Sequence, residues 1–159
     1  MFSLFIPLPV CPNMATLNKP SGVLTSPYYP RRYPSNKKCS WKITASKGER
    51  IVLIIENISI RWCSPSCTCD YLEIQNGSPS DGISGRRRCN RWKDSGIVYH
   101  SAKDVLRVTF VSDSGPHWGY RGFRATYIKV KYSATTTGKL LEIGFKRINI
   151  CAEHLHKIS

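Results

Sequence analysis

The run Cys67-Thr68-Cys69-Asp70-Tyr71-Leu72-Glu73-Ile74-Gln75-Asn76-Gly77 limits the possible folds more than any other stretch of the chain. Two cysteines lead straight into an alternation of polar and apolar side chains from Tyr71 to Ile74, the period-2 pattern of a half-buried strand. Asn76-Gly77 follows, a dipeptide suited to a type I′ turn because both central residues of that turn need positive φ. Arg50 to Ile60 upstream is a long apolar, β-branched run, and its residue types favour a sandwich-core strand over a helix. Val105 to Val111 downstream alternates again, with Leu106, Val108 and Phe110 on one face. The centre of the chain is therefore expected to be a β-sheet stapled by disulfides.

Seven cysteines in 159 residues point to an oxidising compartment. Against 10 acids stand 24 Lys and Arg, a formal net charge of +14. Such an excess attracts polyanions. A disulfide framework argues against nuclear or cytosolic nucleic acid, which leaves extracellular glycosaminoglycan or a membrane surface. Residues 1–10 read as a weak apolar leader or an incomplete signal region, since Pro7 and Pro9 interrupt the run and no basic residue precedes it. No apolar stretch approaches the roughly 18 to 20 residues of a transmembrane helix, so a soluble chain is expected.

Taken in order, Pro20, Pro27, Pro30 and Pro34 make the early chain a series of turns and short extended pieces. Arg31, Arg32, Lys37 and Lys38 form a first basic cluster there. Cys39-Ser40-Trp41-Lys42-Ile43 alternates, and Trp41 is assigned to the core. Asn57-Ile58-Ser59 and Asn76-Gly77-Ser78 fit the N-glycosylation pattern, with Asn76 favoured because a hairpin tip would be exposed. Arg86, Arg87, Arg88, Arg91 and Lys93 surround Trp92 in a second, denser basic cluster. That cluster is either a solvated face or a ligand-binding surface on which Trp92 stacks against a sugar or anchors a partner. Phe123, Ala125 and Tyr127 share the core face of a last strand. Ser133 to Gly138 reads as a linker, and the chain from 139 onward as a tail of unknown structure carrying Cys151.

Several short motifs together resemble the CUB domain, over about 11–132. They are Gly22-Val23-Leu24-Thr25-Ser26-Pro27-Tyr28-Tyr29-Pro30, Tyr33-Pro34, Cys39-Ser40-Trp41-Lys42-Ile43, and Gly48-Glu49-Arg50-Ile51-Val52-Leu53. The Cys67–Gly77 run, Cys89, Ser112-Asp113 and Gly122-Phe123-Arg124-Ala125-Thr126-Tyr127 complete the set. Composition and spacing alone give only a sandwich. The resemblance implies an all-β, jelly-roll-like sandwich of two antiparallel sheets, extracellular and used for protein or glycan recognition. It also implies the bridges Cys11–Cys39 and Cys67–Cys89. Cys63 and Cys69 are additional to the family pattern. A short third bridge between them is the simplest reading, and a zinc site from Cys63, Cys67, Cys69 and Cys89 is the alternative.

Many CUB domains hold one calcium through a Glu and two Asp residues, a set of hard oxygen ligands. Asp70 and Asp113 stand at two of these positions, while Arg61 takes the place of the Glu. Calcium is therefore disfavoured and no cofactor is expected. Arg61 is expected to pair with Asp70, Asp113 or both; the alternative leaves it pointing into solvent. None of His100, His117, His154 and His156 lies in a recognisable catalytic motif, so no enzyme is expected. The reading is a secreted, non-catalytic binding module for an extracellular protein or sulfated glycan. A fragment of a larger receptor or secreted protease, with the domain mediating protein–protein contact, is the second reading.

Overall fold

The computed structural model describes residues 11–77, 85–92 and 96–131, with the backbone alone at 91 and 92. The leader, Lys93, the 133–159 tail and Cys151 lie outside the described residues, as do the side chains of Arg91 and Trp92. All regular structure among the described residues is β. The strands are β1 (Ala15–Leu17), β2 (Ser21–Thr25), β3 (Lys37–Thr44), β4 (Glu49–Ile60), β5 (Tyr71–Asn76) and β6 (Arg86–Arg88). They continue with β7 (Asn90–Trp92), β8 (Ile97–His100), β9 (Val105–Ser112) and β10 (Gly122–Lys131). One sheet runs β1-β3-β9-β5-β6 and the other β2-β10-β4-β7, with β8 also paired to β4. All pairings are antiparallel except β1 with β3, which is parallel.

Alternation in sequence becomes two faces of each sheet. In register, Cys39 lies opposite Phe110 and Phe110 opposite Leu72, while Trp41 meets Val108 and Val108 meets Ile74. All six are buried, and they meet Leu53, Ile55, Phe123, Ala125 and Tyr127 of the other sheet. Trp41 is in this core, edge-on to Phe123 with ring centroids 5.9 Å apart. The bridges Cys11–Cys39, Cys63–Cys69 and Cys67–Cys89 are all formed. Zinc is thereby overturned, since all four sulfurs it needs are spent as disulfides. The two long bridges close loops with sequence separations of 28 and 22 residues. Bridges of this span typically contribute about 2–4 kcal/mol.

The Asn76-Gly77 turn is not of type I′. Only Gly77 has positive φ, 79°. Asn76 stays in β5 opposite Leu106, and its Oδ1 accepts from the Ala102 amide at 3.1 Å. Gly77 donates to the Val105 carbonyl, so β9 continues to hold the chain where a two-residue loop would have reversed it. The next strand of this sheet to pair with β5 begins only at Arg86. Cross-sheet pairing has overridden the local turn preference, and Asn76 is half-buried instead of standing at a tip.

Two glycines separate backbone strain from crowding. Gly122 has φ of 86°, and a Cβ there would fall 1.7 Å from Ser26 Oγ, the atom that accepts the Phe123 amide at 3.1 Å. Gly48 has φ of 83° with open space around it. Gly48→Ala is expected to cost about 1–2 kcal/mol for the left-handed backbone alone. Gly122→Ala should cost roughly 2–4 kcal/mol, because overpacking is added. Urea denaturation of both variants measures the difference.

Candidate functional site

Five residues from three connections converge at one end of the sandwich. Arg61 leaves β4 in one sheet; Asp70 enters β5 and Asp113 follows β9 in the other. Tyr33 comes from the β2–β3 connection and His117 from the β9–β10 connection. Asp70 is completely buried. Its Oδ2 accepts from Tyr33 Oη at 2.7 Å and its Oδ1 from the Asp113 amide at 2.8 Å. Tyr33 Oη in turn accepts from the Arg61 amide at 2.9 Å. The Arg61 guanidinium pairs with Asp113 Oδ2 and brings its Nε to 3.6 Å from Asp70 Oδ2.

A buried carboxylate is tolerated when paired and hydrogen-bonded, and Asp70 is both. Because Arg61 belongs to one sheet and the two aspartates to the other, the cluster ties the sheets together at this end. Gly115 makes the approach possible: a Cβ there would fall 2.5 Å from an Arg61 guanidinium nitrogen. Its amide also donates to Asp113 Oδ1 at 2.6 Å. Of the expected outcomes for Arg61, pairing with both aspartates is the one found.

Tyr33 and His117 carry no role in the sequence reading, yet both are central here. His117 is 3% exposed, with Nδ1 2.8 Å from Asp70 Oδ2 and its ring 4.7 Å from that of Tyr33. Its Nδ1 lies off a hydrogen-bonding line to Asp70, and its Nε2 has no hydrogen-bond partner among the described residues. The available signals were the Tyr-Pro pair and a histidine in the same loop as Asp113. Neither says that the side chain points inward. Burial pushes the Tyr33 hydroxyl far above its ordinary range; the Arg61 amide opposes this and the Asp70 carboxylate adds to it.

Asp70, Asp113 and His117 bring ligand atoms within 4.8 Å of one another, the outline of a cation site. The outline does not fit calcium. One of its three ligands is an imidazole, where calcium prefers oxygen. The Arg61 guanidinium already lies against both carboxylates, so an added cation would meet its positive charge.

Among the described residues, the two basic clusters lie on different elements. Arg88 lies opposite Leu72 on the inward side of edge strand β6, and its Nε donates to Tyr99 Oη of β8 at 2.7 Å. Arg86 shares that side, while Arg87 points outward, paired to Glu73 at 3.1 Å and stacked over Tyr71 at 4.0 Å. Arg31, Arg32, Lys37 and Lys38 are exposed near the Arg61 end, where Arg32 lies 4.7 Å over the ring of Trp118. Trp118 is 76% exposed and Trp62 50%, two indoles that the sequence reading did not single out. Asn57 is exposed, at the irregularity in the β4–β10 register.

Arg61→Met leaves Asp70 buried beside Asp113 without its cation and should cost about 3–5 kcal/mol in chemical denaturation. The Tyr33 hydroxyl gives a pH signature. Folded Tyr33 keeps its proton where the unfolded chain releases it, near the ordinary value of 10.0. Its contribution is therefore complete below about pH 10 and is lost as pH rises further. Stability measured from pH 9 to 11.5 should fall less steeply in Tyr33→Phe than in the parent chain. Tyr127, also raised by burial, retains its share of the slope in both.

Three comparisons bear on this architecture. The chain is 39% identical over 127 residues to the Cubilin homolog of Drosophila melanogaster, covering 80% of this chain and 3% of that protein. It superposes on the full extracellular region of zebrafish Gpr126/Adgrg6 with a TM-score of 0.64 and 26% identity, covering 76% of this chain and 15% of that one. For the MASP-1 CUB2 domain bound to Ca2+ the TM-score is 0.59 at 25% identity, covering 74% of this chain and 99% of that one. The chain thus spans a small fraction of the first two proteins. The CUB domain family model matches residues 11–127. With that match over most of its described length, this chain belongs to the CUB domain family.

Proposed function

We propose that the chain is a non-catalytic, extracellular recognition module that holds its loop end together without calcium and draws an anionic protein or glycan to its cationic surface. The observation that carries this reading is the Arg61 guanidinium set against Asp70 and Asp113, where the calcium-bound relative suggests a metal. A guanidinium has a fixed charge and a planar fork suited to carboxylates, so it can bridge them permanently. The loops are then ordered whatever the calcium concentration. The excess of 24 cations over 10 acids supports an anionic partner, because complementary charge raises encounter rates and rejects like-charged surfaces. His117 faces Asp70 and Tyr33 within the cluster, which supports a structural role for it over a catalytic one.

A second reading has a specific observation in its favour. The matched relatives are far longer than this chain, so the domain would act as one interaction module within a multidomain protein.

Thermal unfolding with calcium and with chelator tests the first reading. The parent chain should melt at the same temperature in both. Arg61→Glu restores the acid that the resemblance places at this position. It should be strongly destabilised in chelator and regain several degrees in millimolar calcium. A calcium-dependent rise in the parent chain would reject the reading.

A further inference from the structure

We propose that the outward face of the β1-β3-β9-β5-β6 sheet is a platform for a sulfated polysaccharide, centred on Lys42 and Arg107. The proposal rests on the reading that the domain draws anionic partners, and gives that attraction a place and a ligand class. Register defines the face. Lys42 lies opposite Arg107, which lies opposite Gln75, with Thr16 on the β1 side. One row over, Ser40, Thr109, Glu73 and Arg87 align, and beyond them Lys38, Val111 and Tyr71. Four cations thus share one side of the sheet. Glu73, the single acid that these five strands direct outward, is already held by Arg87.

The Lys42–Arg107 pair is the telling feature. Residues directly opposite in an antiparallel pair have Cβ atoms about 4.5–5.5 Å apart, and like charges there are destabilising. None of the ion pairs found among the described residues relieves either side chain. Arg107 Nε is buried without a hydrogen-bond partner, and its Nη1 reaches only the Met14 sulfur at 3.2 Å, a weak acceptor. An anionic group between the two cations would remove the repulsion.

The shape of the face favours an extended ligand. Lys38 and Lys42 lie roughly 13 Å apart along β3, and β3 and β6 lie roughly 14 Å apart across the sheet. Charges are spaced along the face, with hydroxyl and amide groups of Thr16, Thr109 and Gln75 between them. That spacing suits repeated sulfates and sugar hydroxyls better than a single compact anion. Arg31 and Arg32 lie at the loop end, away from this face, and provide a control of equal charge.

The test is calorimetric titration of the full, oxidised chain with a size-defined heparin octasaccharide near physiological salt. Lys42→Gln with Arg107→Gln should weaken binding about tenfold and flatten its salt dependence, whereas Arg31→Gln with Arg32→Gln should change it less than about threefold. The first pair should melt no lower than the parent chain, because it removes a repulsion. Should it nevertheless fail to fold, Lys42→Gln alone is expected to lose a smaller, measurable part of the affinity. Equal losses from both pairs would overturn the platform and leave only diffuse attraction. Tight binding by the parent chain that ignores Lys42 and Arg107 would overturn the platform while sparing the general reading. No binding by the parent chain would reject both for glycans. Competition by polyglutamate as effective as heparin's would overturn the glycan in favour of an acidic protein.

Discussion

The Arg61 guanidinium, lying between a buried aspartate and a half-exposed one, is the contact on which this end of the molecule depends. It joins β4 of one sheet to β5 and β9 of the other through charge and hydrogen bonds, where the hydrophobic core has run out. It sets a fixed positive charge beside the buried Asp70, and Tyr33, His117 and the Asp113 amide are arranged around that carboxylate. Gly115 leaves the space into which the guanidinium fits. A sandwich gains its stability mainly from the apolar faces it encloses. Its ends, where loops meet water, need a separate solution.

That solution has a consequence for recognition. A metal-held loop end is ordered only when the metal is bound, whereas an arginine bridge is present from the moment the chain folds. The aspartates are also occupied internally, so they offer little to a basic partner. The cations around them, and the two exposed indoles Trp62 and Trp118, give this end a different character. In the proposed reading, binding by charge would fall to surfaces outside the bridge, and among the described residues the sheet face carrying Lys38, Lys42, Arg107 and Arg87 gathers four cations on one side.

Much of this was legible in the sequence because alternation is a strong signal in a sandwich. Leu106, Val108 and Phe110, or Cys39, Trp41 and Ile43, declare their faces without any knowledge of their partners. The substitution at Arg61 was legible only by resemblance, since nothing local distinguishes it from a solvated arginine. Tyr33 and His117 were not legible, because burial of a polar side chain in a loop depends on contacts distant in sequence. Asn76-Gly77 misled for a related reason: its turn preference is real, but ladder bonds to Leu106 and Val105 outweigh it. The basic run Arg86-Arg87-Arg88 is contiguous in sequence but divided between the two sides of β6. A strand turns consecutive residues to opposite sides, so Arg88 reaches Tyr99 while Arg87 stacks on Tyr71.

A double-mutant cycle between Arg61 and Asp113 tests the central claim most directly. The variants are Arg61→Met, Asp113→Asn and both together, each unfolded by urea in chelator. If the guanidinium holds the loop end, the two changes are strongly non-additive, with a coupling of about 1.5–3 kcal/mol. Additivity within about 0.5 kcal/mol would mean that the pair is an incidental surface contact, and that something else closes this end of the sandwich.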